Sequence, residues 1–242
     1  MSDAAPAFYA VGRRGWRAWV TLLHLPYTAW HLSYVVVGGC LAADVAWGRL
    51  GLTVLAFALA MGVGAHALDE LHGRPLQTTI SSRALVAVAI ASVAAACAIG
   101  LAVASRTTPW LILAIVVGAA LVPAYNLELL GGRVHTDLGF ALAWGAFPVV
   151  TAYLAQTERL DASAVVAAGW AAVLSLAQRR LSTAVRRVRR HATAVDGAVT
   201  LDDGAVEPLD RRTLISAPEA ALQLLALSTV LVAAALVLLR LG

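Results

Sequence analysis

The densest group of chemically active side chains lies in the stretch AHALDELHGRPLQTTIS, residues 65–81. On a helix, His66, Asp69 and Glu70 stand at positions i, i+3 and i+4, so all three point toward one patch before the following Gly and Pro end the helix. Paired carboxylates at a helix end offer the oxygen ligands that Mg²⁺ takes, usually together with phosphate. The stretch therefore predicts a magnesium and phosphate site, with a solvated helix end as the alternative interpretation.

Two further polar stretches stand at the ends of apolar runs, AYNLELLGGRVHTD and AQRRLSTAVRRVRRH. The first places Tyr125 and Asn126 at a helix end. The second places Arg179 and Arg180 at the start of an arginine-rich segment, and guanidinium groups bind phosphate oxygens in pairs without a metal. A run of arginines beside a membrane helix is also commonly found in contact with lipid headgroups at the membrane surface. Lipid contact is therefore the alternative interpretation of this segment.

The remaining polar residues have plainer interpretations. His24 and His31 are about two helical turns apart, too far to share one ion, and interhelical hydrogen bonding is the expected role. Glu128 and Asp137 are expected to offset nearby arginine charge. A transition-metal site at residues 66–72 would need a second histidine-rich cluster, which the sequence lacks.

Composition determines the class of protein that must position these groups. Hydrophobic residues make up 60% of the 242 residues and charged residues 13%, and the mean hydropathy is +0.79. A water-soluble fold needs a larger share of polar residues than this to cover its surface. An integral membrane protein is therefore expected. The net charge is +4, and all 18 basic residues are arginine. This charge does not indicate nucleic-acid binding, because arginine collects at the cytoplasmic boundary of membrane proteins. The two cysteines lie in separate apolar runs, and no disulfide is expected.

Seven apolar runs approach the roughly 20 residues that span about 30 Å of hydrocarbon. They predict an all-α, polytopic bundle of about seven transmembrane helices. The runs cover residues 20–46, 50–69, 84–104, 109–129, 137–156, 162–181 and 216–240.

Arginine is distributed unevenly over the connections between these runs. With the N-terminus in the cytoplasm, most arginines fall on the cytoplasmic side, as the positive-inside rule requires. We therefore expect a multi-pass protein of a bacterial plasma membrane, with the N-terminus cytoplasmic and the C-terminus outside. All three polar stretches then face the cytoplasm, where they would form the mouth of a pocket.

The predicted organisation has four parts. Residues 1–19 form a cytoplasmic leader, residues 20–190 the bundle of six helices, residues 191–215 a cytoplasmic flap and residues 216–242 a C-terminal transmembrane helix. Within the flap, Asp-Gly pairs stand between partly alternating apolar and polar residues, which predicts a short hairpin.

The order of three motifs resembles the UbiA-type intramembrane prenyltransferase superfamily. DELHGRPLQTTIS resembles the family's first Asp motif, VPAYNLELL its Pro-then-Tyr segment and TDLGFALAWGAFPVV its Gly-rich start of helix five. The second Asp motif of the family would fall at the end of helix six, where this chain has arginines and no acid.

The resemblance implies a helical bundle around a central cavity that binds a prenyl diphosphate through Mg²⁺. It implies that Asp69 and Glu70 are metal ligands, that Asp69 and Tyr125 are catalytic, and that further residues bind substrate. Those further residues are His66, Arg74, Asn126, Arg179 and Arg180.

The expected function is transfer or cyclisation of a prenyl chain from a prenyl diphosphate to a lipophilic acceptor within the membrane lipids. The alternative is a non-catalytic protein of the same fold that binds or transports an isoprenoid lipid. A coupled transporter is disfavoured, because no charged residue stands at the centre of an apolar run.

Overall fold

The computed structural model describes residues 7–242 and shows an all-helical bundle with one short hairpin. The all-α expectation is confirmed for these residues. The helices are α1 Gly15–Leu22, α2 Leu25–Cys40, α3 Trp47–Phe57, α4 His66–Leu71, α5 Ser82–Ala104, α6 Trp110–Asn126, α7 Asp137–Phe140, α8 Phe147–Thr157, α9 Ala162–His191 and α10 Arg211–Leu241. The strands are β1 Ala198–Thr200 and β2 Val206–Pro208.

Five continuous helices are long and apolar enough to cross a membrane. They are Trp47–Leu71, Ser82–Ala104, Asp137–Thr157, Ala162–His191 and Arg211–Leu241. The shorter apolar helix α6 and the 16-residue helix α2 pack beside them. The seven predicted runs thus coincide with seven helical segments of the chain, of which five meet the length and composition of a membrane span.

Three of these segments are interrupted in ways that the apolar pattern did not predict. The run at 20–46 is two helices, because His24 adopts a left-handed conformation (φ 45°, ψ 46°) between α1 and α2. Wider π-helical turns at Ala58–Ala65 and Ala141–Ala146 join α3 to α4 and α7 to α8. Turns of this kind concentrate at functional sites.

The helices run up and down, so the connections lie at two ends of the bundle. One end, which we call the cavity end, carries the junction of α1 and α2, the end of α4, the end of α6, the end of α9 and the hairpin. The opposite end, which we call the far end, carries the connections after α2, α5 and α8. Only four arginines lie at the far end, Arg49, Arg106, Arg159 and Arg240. Two of them donate hydrogen bonds to backbone carbonyl groups, Arg49 to Ala155 O and Arg240 to Cys40 O. A third, Arg159, forms an ion pair with Asp161.

Close helix packing forms the core of the bundle. Trp30 and Tyr34 of α2 are fully buried against α8, α9 and α10, and Trp30 Nε1 donates to Tyr34 OH at 2.6 Å. Gly145 faces the backbone of α9 so closely that an added Cβ would meet Ala171 O and Ser175 Oγ. Small residues therefore set the spacing of these helices.

The segment between α9 and α10 forms the predicted hairpin. β1 pairs antiparallel with β2 through Ala198↔Pro208, and Gly204 turns the chain at φ 84°. The helix α10 begins at Arg211, earlier than the predicted 216, because Asp210 and Thr213 form a capping box. Hydrogen bonds from the Thr213 backbone and hydroxyl lower the pKa of Asp210 below its usual value.

Candidate functional site

A cavity of ≈ 370 Å³ lies at the cavity end, enclosed by α2, α4, α6, α7, α9 and the leader residues 7–9. Both π-helical turns contribute to its wall, through Met61 and Ala65 on one side and Trp144 on the other. We call this space the headgroup cavity.

Five of the predicted site residues line the headgroup cavity together, although they come from three different helices. These residues are His66, Asp69, Tyr125, Asn126 and Arg179.

One wall of the headgroup cavity is cationic and belongs to α9. Arg179, Arg186 and Arg190 all line it, with two helical turns between the first pair and one turn between the second. Arg179 lies 3.3 Å from Asp137 Oδ1 and stacks 5.6 Å from the Phe140 ring centroid. Such guanidinium groups offer several directed N–H donors to an anion.

The arginine wall is held in place by neighbouring side chains. Arg186 donates to Ser182 Oγ at 3.3 Å and to Thr183 Oγ1 at 3.0 Å. Arg189 forms a two-point ion pair with Glu219 of α10, at 2.6 and 2.7 Å. These contacts orient the wall before any ligand arrives, which lowers the entropy cost of binding.

A second wall is aromatic. The Tyr125 ring stacks on His135 at 4.5 Å and meets Trp144 edge-on at 5.6 Å. His135 Nδ1 lies 3.0 Å from the Tyr125 carbonyl oxygen, and the Phe140 ring completes the group. Asn126 uses its side-chain amide to donate to Val122 O at 2.7 Å, so it supports the end of α6 as well as lining the cavity.

The third wall combines the leader with the start of α2 and with α4. The Tyr9 ring lies 4.9 Å from His24, and His24 stacks on His66 at 4.1 Å with 27° between the rings. His66 Nδ1 lies 3.0 Å from Gly62 O. Burial raises the pKa of the Tyr9 hydroxyl above its usual value, and the neighbouring Tyr27 adds to this effect. Sequence analysis assigned no site role to His24 or Tyr9, because their partners are distant in the chain.

Glu70 does not reach the headgroup cavity, contrary to the expected metal role. Its side chain is fully buried, and its two carboxylate oxygens accept hydrogen bonds from Leu76 N, Thr78 N and Thr78 Oγ1 at 2.8–2.9 Å. It therefore fixes the loop that follows α4. The structure gives this carboxylate a structural role.

Arg74 and Arg180 also lie outside the lining of the headgroup cavity, in contrast to their expected substrate contacts. Arg74 donates to Ile80 O and to Ser82 Oγ, and so closes the loop before α5. Arg180 is exposed and does not belong to the cavity lining. Further along α9, Arg186, Arg189 and Arg190 line the cavity.

The donor set does not fit a magnesium ion held by the protein alone. Within residues 7–242, no group of three or more His, Cys, Asp or Glu side chains is placed to hold a metal ion. Of the two motif carboxylates, Asp69 lines the cavity and Glu70 does not. The wall that carries Asp69 faces the guanidinium groups of α9.

Unpartnered polar atoms concentrate around the headgroup cavity. Among the described residues, five buried side-chain polar atoms have no hydrogen-bond partner. Four belong to residues of the lining: His24 Nε2, Tyr125 OH, Gln178 Oε1 and Arg190 Nε. Buried polar groups are normally paired, so these atoms are the places in the lining where a bound molecule or water would form hydrogen bonds.

An apolar crevice of ≈ 110 Å³ adjoins the headgroup cavity. It runs between α3, α5, α6 and α8, and its walls include Leu52, Phe57, Val93 and Ile115. Met61 and Trp144 line both spaces. A ligand with a polar head and an apolar chain can therefore occupy the two spaces at once.

Comparison with known proteins gives no relative for this chain. No family model, no curated protein and no solved structure matches it.

Proposed function

We propose that the protein is an integral-membrane enzyme that takes a prenyl chain from a prenyl diphosphate and transfers it to a lipophilic acceptor, or cyclises it. The observation that carries this proposal is that an arginine wall and an aromatic wall enclose the headgroup cavity, and that an apolar crevice adjoins it through the shared lining residues Met61 and Trp144. A prenyl diphosphate has a matching succession of anion, allylic carbon and hydrocarbon chain.

The arginine wall supports binding of the diphosphate. Arg179, Arg186 and Arg190 can each donate two N–H groups to phosphate oxygens, and charge-assisted bonds of this type are about twice as strong as neutral ones. Half-buried guanidinium groups also gain from the lower effective dielectric constant around them. The same groups stabilise the negative charge that grows on the diphosphate as it departs.

The aromatic wall supports the carbon side of the reaction. When the bond between the allylic carbon and oxygen breaks, the carbon becomes positively charged. The electron-rich faces of Tyr125, Phe140 and Trp144 stabilise a cation, while Asp69 on the facing wall attracts it. The apolar crevice keeps water from the chain.

We further propose a location in a bacterial plasma membrane, and the asymmetry of arginine supports one orientation there. The cavity end then faces the cytoplasm, with the N-terminus inside and the C-terminus outside. A water-soluble diphosphate headgroup can reach the headgroup cavity from this side, while membrane lipids supply the acceptor.

A second candidate function is binding or transport of an isoprenoid lipid without chemistry. This candidate is favoured by the presence of one motif carboxylate, Asp69, in the lining. The other, Glu70, accepts hydrogen bonds from the loop after α4. The two candidates share the headgroup cavity and differ in whether product forms.

The first experiment measures binding of prenyl diphosphates of several chain lengths to the purified protein in detergent, by calorimetry, with Mg²⁺ or with a chelator. Arg186→Gln removes a cation from the lining, and Arg187→Gln removes its exposed neighbour as the matched control. We expect Arg186→Gln to weaken binding about 10- to 100-fold, from the 1.5–3 kcal/mol of a bond to a charged group. We expect Arg187→Gln to bind normally.

The metal dependence and the product separate the two candidates. Binding that persists with the chelator supports an arginine-held headgroup. Binding that requires Mg²⁺ and is lost in Asp69→Ala would mean that Asp69 and the substrate together hold an ion. Release of diphosphate supports the enzyme, and binding without release supports the carrier. No binding in any condition would exclude both.

A further inference from the structure

We propose that His24 is the proton acceptor of the reaction, taking the proton that the second substrate loses as its new bond forms. The inference rests on the proposed transfer function and assigns a residue that the three motifs do not contain. It is drawn from the backbone conformation of His24, the contacts of its ring and its unpartnered nitrogen.

The backbone at His24 is held in an unusual conformation. A residue other than glycine with φ 45° and ψ 46° is strained, and such strain concentrates at functional sites where the surroundings impose it. The surroundings here are the first turn of α2, in which Tyr27 N and Thr28 N donate to His24 O at 2.8 and 3.0 Å. With this backbone conformation, the imidazole of His24 lies in the wall of the headgroup cavity.

The ring of His24 is fixed between two other rings. Tyr9 covers one side at 4.9 Å and His66 stacks on it at 4.1 Å. The leader that carries Tyr9 is itself anchored, because Val11 N and Gly12 N both donate to Thr21 Oγ1 and Thr79 N donates to Arg13 O. The imidazole is therefore positioned by three separate segments of the chain.

The ring nitrogen Nε2 of His24 is buried and has no hydrogen-bond partner. Among the described histidines, His24 alone has a buried ring nitrogen with no partner, its Nε2. His31, His66 and His135 each use Nδ1 against a backbone carbonyl, at 2.9–3.0 Å. A positioned imidazole with a free lone pair is the commonest general base in enzymes.

The location of His24 separates it from the diphosphate. The anion is bound by arginines of α9, whereas His24 belongs to the wall formed by the leader, α2 and α4. Asp69 lies one turn from His66 on that same wall. Burial, the neighbouring His66 and the positive charges of Arg190 and Arg186 lower the pKa of His24, so its ring is neutral and able to accept a proton before the reaction.

The proposed step balances without any further reactant. The oxygen of an acceptor hydroxyl, or of water, forms a bond to the allylic carbon. The bond between that carbon and the diphosphate oxygen breaks, and its electron pair leaves with the diphosphate. The hydroxyl proton passes to Nε2 of His24 and later to water.

The test uses His24→Gly in the full-length protein. Glycine tolerates the left-handed backbone, so this variant keeps the turn and leaves a space the size of an imidazole. Glu158→Gly is the matched control, because Glu158 has a similar φ of 61° but is exposed at the far end. Turnover is measured as diphosphate released from geranylgeranyl diphosphate, with water, 1-naphthol or dodecan-1-ol as the acceptor.

We expect His24→Gly to bind geranylgeranyl diphosphate like the wild type and to lose about 100-fold or more in turnover, the contribution of a general base. Added imidazole should restore turnover at least tenfold in His24→Gly and leave Glu158→Gly unchanged.

Three outcomes would overturn the inference. The first is wild-type turnover in His24→Gly, and the second is a loss with intact binding that imidazole does not rescue. The third is a wild-type protein that binds the diphosphate without releasing it, which would also reject the proposed transfer and favour the carrier.

Discussion

Two adjacent carboxylates at the end of one helix have separate roles. Asp69 lies in the lining of the headgroup cavity, while Glu70 is fully buried against the loop at residues 76–78. Successive residues on a helix point about 100° apart, so a pair that reads as one motif in the sequence faces two environments. The division explains how a site can keep one carboxylate for a ligand and use the other for its own scaffold.

Replacement of Glu70 by Gln is expected to destabilise the protein without removing the proposed diphosphate site. An amide places an NH₂ group where the carboxylate accepts from three donors, which leaves at least one buried N–H unsatisfied. The expected cost is about 1–3 kcal/mol of unfolding free energy, seen as a lower midpoint in thermal unfolding.

Glu158→Gln is the control, because Glu158 is exposed at the far end and should change the midpoint little. Binding of prenyl diphosphate by the folded fraction should be retained in Glu70→Gln. A variant that unfolds normally but no longer binds would instead make Glu70 a ligand residue.

The sequence predicted the local parts of the site better than the distant ones. His66, Asp69 and Tyr125 were found because each stands in a polar stretch at the end of an apolar run. For Arg186 the sequence indicates only membership of an arginine-rich segment, because it does not show which turns of α9 face the cavity. His24 was read as a hydrogen-bonding core residue, because its ring contacts to Tyr9 and His66 are tertiary.

At the scale of elements, apolar run length predicted the helices and missed their breaks. Burial in hydrocarbon requires every backbone group to be bonded within a helix, so the positions of spans follow from hydropathy. The π-helical turns at Ala58–Ala65 and Ala141–Ala146 leave the apolar pattern unchanged. They depend on how α9 and α5 pack against them, which composition does not encode.

The π-helical turn beside α9 can be tested through Gly145. A Cβ at this position would meet the backbone oxygen of Ala171, so Gly145→Ala forces the two helices apart. Overpacking of this type costs about 1–3 kcal/mol, which should appear as a lower thermal midpoint in detergent.

The matched control for Gly145→Ala is Gly169→Ala on α9 itself. An added Cβ at Gly169 meets nothing within 4 Å. Because alanine favours a helix over glycine, this variant should be neutral or more stable by up to about 1 kcal/mol. Equal midpoints for the two variants would show that α8 and α9 do not depend on a close backbone approach.

At the scale of the whole molecule, the chain gathers its polar groups at one end of an apolar bundle. The leader, the end of α6 and the end of α9 are far apart in sequence and meet around the headgroup cavity only because the helices run up and down. This alternation could be predicted from the connections, since short links join neighbouring helices in opposite directions. The depth and lining of the cavity could not, because they depend on side-chain packing.

The same alternation predicts the orientation of the protein in its membrane. In a background with Cys40→Ala and Cys97→Ala, Thr200→Cys places a thiol on the exposed hairpin and Glu158→Cys places one at the exposed far end. A membrane-impermeant maleimide is applied to right-side-out vesicles. Because arginine is concentrated at the cavity end, we expect it to label Glu158→Cys directly and Thr200→Cys only after permeabilisation.

Labelling of both variants in detergent is the control that each thiol is reactive. The reversed pattern would place the headgroup cavity outside the cell, where a soluble cytoplasmic diphosphate cannot reach it, and would contradict the proposed function together with the orientation. Labelling of both thiols from the same side would contradict the up-and-down path of α9, because that helix alone separates residue 158 from residue 200 across the bilayer.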